Sequence, residues 1–224
     1  MKEKLRHHIN SLIKRYPILK ECENSIIRTY DILEECFLAG HKLLIAGNGG
    51  SNADAEHIVG ELMKGFKNLR KCQDSFADKL KAIDPIRGVE LAEKLQGGLP
   101  AIALAGNQSL GTAFTNDVSE GGLFVFAQEV YGYGKEGDVL LGISTSGNSI
   151  NILNSVVVAK ALGLKVVGLT GKAGGELAKI CDVSIKVPVN ETYMVQELHL
   201  PVYHCLCLML EENFFGLTNT NASN

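Results

Sequence analysis

Asp138-Val139-Leu140-Leu141-Gly142-Ile143-Ser144-Thr145-Ser146-Gly147-Asn148-Ser149 is the stretch on which the fold turns. Its apolar half, Asp138 to Ile143, reads as a strand buried on both faces, and the residues from about Ser149 to Leu162 read as a helix. A loop rich in hydroxyls and glycine joins them. The same order occurs earlier, where Lys42-Leu43-Leu44-Ile45-Ala46 leads into Gly47-Asn48-Gly49-Gly50-Ser51 and then into a helix over about 52–64. A helix that opens on such a loop presents unpaired backbone N–H groups and the positive end of its dipole, a ready site for an anion. Two such loops with few cationic residues between them point to a small phosphorylated ligand rather than a polyanion.

Around these two units the pattern repeats. Pro100 to Leu104, Lys165 to Leu169 and Val183 to Val187 are further strand candidates, and the last helix runs from about Tyr193 to Phe214. Residues 2–15 and 22–39 read as two amphipathic helices broken near Pro17, the second ending at Gly40. Short Val/Ile/Leu strands alternating with helices predict an α/β fold, a parallel sheet covered on both faces in three layers. Ligands of such sheets bind beyond the carboxyl ends of the strands, where both loops would lie. The charged stretch 67–98, with helical spacing over Gly88–Leu95, reads as an insertion between helix and strand within a single domain spanning 1–224.

Composition narrows the function. In 224 residues, 46% are hydrophobic and 21% charged, with a net charge of −3, and the cations are scattered rather than massed. That balance argues against nucleic acid or a membrane surface as partner. The start of the chain lacks an apolar signal core, and no run reaches membrane-spanning length. The cysteines (Cys22, Cys36, Cys72, Cys181, Cys205, Cys207) form no Cys-x-x-Cys pair, so reduced, buried thiols in a cytoplasmic protein are expected. Cys205 and Cys207 would point apart on a helix.

Candidate chemistry sits on two helices. His57 and Glu61 are four apart and share a face just after the first loop. On the last helix Gln196 and His204 are eight apart and share nearly one face, with His199 rotated away. Moving a carbonyl between adjacent carbons requires a base for the carbon proton and an acid for the oxygens; a carboxylate and an imidazole suit those roles. Nitrogen and oxygen donors on two helices suit zinc, and equally a metal-free acid and base. The loops carry no Walker lysine, which speaks against a nucleotide as ligand, and no nucleophile elbow.

The text Ala46 to His57, Gly60-Glu61-Leu62, Thr115-Asn116-Asp117, Glu136 to Ser149, Gly168 to Gly175 and Val195 to His204 resembles the sugar isomerase (SIS) domain family, and within it the phosphoheptose isomerases. The resemblance implies a flavodoxin-like sheet, N-terminal helices over 1–40 that build a homotetramer, and conversion of sedoheptulose 7-phosphate into D-glycero-D-manno-heptose 7-phosphate. By match, Ser144, Thr145, Ser146 and Ser149 hold the phosphate, while Asn48, Gly49, Ser51, Asp117 and Gln196 bind the sugar. Glu61 matches the family's base and His204 its acid. In some members His57, Glu61, Gln196 and His204 match the ligands of a zinc ion.

Four features depart from the family pattern: the long 67–98 segment, Tyr193 where an acidic residue is frequent, Gly65 in place of a basic residue, and Pro201 inside the last helix, where a kink is expected. Other readings are an isomerase of a different phosphosugar, a SIS sensor, which would carry a DNA-binding domain in front, and a non-catalytic SIS protein of the type that binds the replication initiator DnaA. The last lacks the carboxylate four residues after the histidine, and Glu61 is present here.

Overall fold

The computed structural model describes residues 2–104 and 106–216. In chain order the elements are α1 (Arg6–Arg15), α2 (Glu23–Leu38), β1 (Leu43–Gly47), α3 (Gly50–Met63), α4 (Asp74–Ile83), α5 (Arg87–Lys94), β2 (Ala101–Ala103), α6 (Gln108–Asp117), α7 (Val125–Tyr133), β3 (Val139–Ile143), α8 (Ile150–Ala161), β4 (Lys165–Thr170), α9 (Leu177–Ile180), β5 (Val183–Lys186) and α10 (Thr192–Phe215), with short 3-10 turns at Glu3–Leu5, Pro17–Cys22 and Gly121–Leu123. The strands form one parallel sheet in the order β2-β1-β3-β4-β5.

Side chains alternate across each strand, and the alternation builds three layers. Leu43 and Ile45 of β1 and Val139 and Leu141 of β3 face a core shared with α1, α2, α3 and α10, through Ile9, Ile26, Ile58 and Val202. Leu44, Ala46, Leu140 and Val166 face a second core, made with α7 and α8 through Phe126, Val130, Ile152 and Val156. Register matters for function. Gly47 pairs with Ile143, so the two loops leave neighbouring strands at the same height, on the carboxyl edge of the sheet.

Segment 67–98 forms a helical hairpin of α4 and α5. Gly88 permits the close crossing, because a Cβ there would lie 2.3 Å from the Leu80 carbonyl oxygen. The hairpin is pinned at its base by Gly97 N–H to Arg70 O at 3.0 Å and Gly65 N–H to Gln96 Oε1 at 2.8 Å. Helices α6 and α7 have no counterpart in the sequence reading. The helix of α10 continues across Pro201 without interruption. No helix among the described residues is long and apolar enough to cross a membrane.

Candidate active site

Backbone geometry explains the glycines of both loops. Gly49 takes φ +55° and Gly147 φ +69°, left-handed values open to glycine at little cost, and a Cβ on Gly147 would lie 2.0 Å from the Gly174 carbonyl oxygen. Gly47 admits Ser51, whose backbone oxygen would lie 2.4 Å from a Cβ there. The loops are tied together by a reciprocal pair of amide bonds, Asn48 Nδ2 to Asn151 Oδ1 and Asn151 Nδ2 to Asn48 Oδ1, both 2.9 Å. Asn48 therefore reaches the second loop's helix, and Ser51 is buried beneath the first loop.

In the second loop, the Ser144 and Ser149 hydroxyls lie 3.0 Å apart, the Gly147 N–H donates to Ser144 Oγ at 3.1 Å, and the Asn148 N–H donates to Ser146 Oγ at 3.1 Å. Ser149 stands at the N-cap of α8 without capping it, just as Gly49 precedes α3 without a side-chain cap. The Thr145 backbone oxygen accepts from Gly171 N–H at 3.0 Å, which fixes the loop against the end of β4. A rigid rim of hydroxyls thus surrounds an uncapped helix start, the arrangement that suits a phosphate monoester.

The acid–base residues meet where α3 packs on α10. His57 Nε2 lies 3.1 Å from Glu61 Oε1, and the His57 and His204 rings meet edge to face at 5.0 Å. Sequence reasoning missed the residues that hold them. Tyr203 donates its hydroxyl proton to Asp54 Oδ1 at 3.1 Å and also sits 3.0 Å from His57 Nδ1. A phenol has one proton, so with Asp54 ionised the His57 Nδ1–H must donate to the Tyr203 oxygen. His57 Nε2 then donates to Glu61 Oε1 in the imidazolium form and presents a lone pair to it in the neutral form. Phe66 stacks beside His204 at 5.3 Å. Burial raises the Asp54 carboxyl pKa, offset by the Tyr203 bond and His57, and burial together with His57 lowers that of His204.

Two atoms of this group stand out. Glu61 Oε2 and His204 Nε2 are both buried and neither has a hydrogen-bond partner, although Lys64 Nζ stands 3.8 Å from Glu61 Oε2; Asp54 Oδ2 is likewise buried without one. Leaving a buried polar atom unpaired costs roughly 1–3 kcal/mol. Together with His57, the Glu61 and His204 atoms can meet the oxygens of a substrate, while among the described residues the ligand atoms of His57, Glu61 and His204 are not gathered within 4.8 Å of one another. Gln196 lies against the opening turn of α3, where a Cβ on Gly50 would stand 2.6 Å from Gln196 Nε2. It is placed beside the first loop, and no hydrogen bond among the described residues joins it to His57, Glu61 or His204. Asp117 is exposed at the end of α6 and accepts from Asn116 at 2.9 Å, which does not bring it to the other candidates.

A buried ion pair braces the carboxyl end of α3. Arg70 Nε donates to Glu211 Oε1 at 2.9 Å, while its other nitrogens donate to the backbone oxygens of Leu62 at 2.6 Å and Glu61 at 2.9 Å. Glu211 also accepts from the N–H groups of Phe66 at 2.8 Å and Lys67 at 2.9 Å. One guanidinium therefore caps the helix that carries Glu61 and, through Glu211, fixes the loop that carries Phe66.

Comparison with known proteins agrees with this geometry. The SIS domain family matches residues 101–209. The phosphoheptose isomerase of Aneurinibacillus thermoaerophilus is 40% identical over 176 residues, covering 79% of this chain and 75% of the relative. The chain belongs to the phosphoheptose isomerase family. A second phosphoheptose isomerase, from Geotalea daltonii, is 41% identical over 177 residues, 79% of this chain and 78% of its own length. The solved phosphoheptose isomerase of Francisella tularensis superposes with a TM-score of 0.72 at 30% identity, over 95% of this chain and all of that one. That of Neisseria gonorrhoeae gives 0.68 at 29% identity, over 94% and 98%. The SIS match begins at β2, so His57 and Glu61 lie outside it.

Proposed function

We propose that this isomerase converts sedoheptulose 7-phosphate into D-glycero-D-manno-heptose 7-phosphate through an enediol. The observation that carries the mechanism is the pair of buried atoms without a hydrogen-bond partner, Glu61 Oε2 and His204 Nε2, at the junction of α3 and α10. The Glu61 carboxylate takes the proton from C1 of the ketose and returns it to C2, so the carbonyl moves from C2 to C1. The His204 imidazole carries protons to and from the two oxygens, and its lowered pKa keeps it neutral, able to accept as well as donate. The serine loop (Ser144, Thr145, Ser146, Ser149) anchors the phosphate, and Asn48, Gly49, Ser51, Gln196 and Asp117 are assigned to the sugar chain.

His57, Glu61, Gln196 and His204 would hold a zinc ion, which would supply electrophilic stabilisation of the enediolate oxygens. Their nitrogen and oxygen donors suit zinc by type, though among the described residues the His57, Glu61 and His204 ligand atoms do not already stand within 4.8 Å of one another. We further assign the N-terminal helices to a homotetramer, segment 67–98 to an insertion within one 1–224 domain, and the chain to the cytoplasm.

The test is incubation with sedoheptulose 7-phosphate in deuterated water, followed by NMR, with and without a chelator. Appearance of the aldoheptose phosphate with deuterium at C2 is expected. A chain that leaves the ketose unchanged in the presence of zinc would overturn the reading, and activity that survives complete chelation would remove zinc from it.

A further inference from the structure

A second imidazole–carboxylate cluster lies away from the acid–base residues, where the start of the chain meets the end of α10. His7 Nε2 is 3.3 Å and His8 Nε2 2.8 Å from the same oxygen, Glu212 Oε2, and the two rings are 4.0 Å apart. Consecutive residues on a helix normally point about 100° apart, so two neighbouring rings turned onto one oxygen call for a cause. Protonation states sharpen the question. His7 Nδ1 lies 2.8 Å from the Lys4 carbonyl oxygen, and a carbonyl only accepts, so Nδ1 carries the hydrogen. In neutral His7 the other nitrogen, Nε2, then presents a lone pair to a carboxylate.

His8 can donate one hydrogen to that oxygen, but His7 cannot unless it becomes a cation. Something positive is required at the point where the three atoms converge. A proton would serve, and so would a metal ion. Three observations favour the metal. First, a ring N–H given to a backbone carbonyl, as in His7, is the usual support that orients a metal-binding histidine. Second, tetrahedral zinc with bonds of about 2.0–2.1 Å sets neighbouring ligand atoms about 3.3 Å apart, and the three atoms lie within 4.8 Å of one another. Third, both imidazole nitrogens converge on the one oxygen, Glu212 Oε2, which comes from a separate helix, so a single ion placed among the three atoms meets all of them.

We propose that His7, His8 and Glu212 form a divalent-cation site of the zinc type that staples α1 to the end of α10. His7 is half exposed while His8 and Glu212 are nearly buried, so the site is open on one side and water completes the coordination. The neighbouring charges are balanced. Lys2 pairs with Glu34 at 3.3 Å, and Lys67 approaches His8 without bonding Glu212.

The experiment uses zinc itself, on full-length chain stripped with a chelator and carrying Glu61→Gln and His204→Gln, so that two of the four residues assigned to the catalytic zinc are replaced. Bound zinc per chain and melting temperature are measured, with cobalt as a spectroscopic substitute. One zinc per chain is expected, together with a rise in melting temperature. Adding His7→Gln, a half-exposed change that the fold should accept, should weaken binding at least tenfold and abolish the rise. The proposal fails if the double variant binds no zinc. It also fails if zinc binding is unchanged by His7→Gln. Neither outcome touches the assignment of Glu61 and His204.

Discussion

Glu211 and Glu212 are adjacent on α10 and both are buried, yet they serve opposite sides of the helix. Glu211 faces α3, where its two oxygens are saturated by Arg70 and by the N–H groups that follow Gly65. Glu212 faces α1, where two imidazoles crowd one oxygen. On the α3 side Arg70 and Glu211 are fully paired, while the proposed reacting atoms, Glu61 Oε2 and His204 Nε2, have no hydrogen-bond partner. On the α1 side the cluster itself is the brace. The contrast separates a site held open for a substrate from one that joins two elements.

The contrast breaks most sharply in the rate. Glu61→Gln keeps the shape of the side chain but removes the base, and should lower turnover by roughly a hundred- to ten-thousand-fold while phosphosugar binding persists. Glu212→Gln should leave turnover unchanged. Steady-state kinetics on both decides it, and equal losses would erase the distinction.

Stability should divide the two carboxylates next. Glu211→Gln strands a guanidinium that is 2% exposed, and breaking a buried pair in this way costs about 3–5 kcal/mol. Glu212→Gln leaves imidazoles that can neutralise, so its cost should be smaller. Urea unfolding of both variants measures the difference. A larger loss for Glu212 would place the main brace on the α1 side.

The α3 side was partly legible in the sequence and the α1 side was not. Helical spacing of four placed His57 beside Glu61, and the alternation of apolar strands with Gly/Ser loops gave the sheet and the carboxyl-edge location of both loops. Arg70 and Glu211 are separated by 141 positions, and nothing local in either segment announces that they pair. Tyr203 and Asp54 are likewise 149 apart. Helix α6 escaped because half of Gln108–Asp117 is Gly, Thr, Asn or Ser, residues with low helix propensity, and none of its residues is buried. Pro201 was expected to kink α10. It is buried, and the helix continues through it.

Acid should weaken the chain through His199, which is fully enclosed on α10 and whose pKa burial pushes down to about 4. The unfolded chain takes up that proton near pH 6.5, the folded one only near 4. Stability from this group is therefore complete above pH 6.5 and is lost as pH falls towards 4, by roughly 3 kcal/mol at the limit. Unfolding curves between pH 7 and 4 test this, and His199→Leu should flatten the slope. An unchanged slope would assign the acid limb to His8 and the α1 cluster instead.

The smallest expected effect sharpens the comparison most. Tyr203→Phe removes only the hydroxyl that links His57 to Asp54. Without it the His57 Nδ1–H has no acceptor and the ring is free to turn, so any ion or substrate oxygen held by its other nitrogen is held less firmly. Loss of such an orienting partner typically costs ten- to a hundredfold in affinity or rate. Tyr203→Phe should therefore lower kcat by that factor, shift its pH profile and leave KM little changed, because the serine loop is untouched. Zinc at the His7 cluster should bind as before. A rise in KM with constant kcat would show that Tyr203 serves packing alone, and would leave His57 oriented by Glu61.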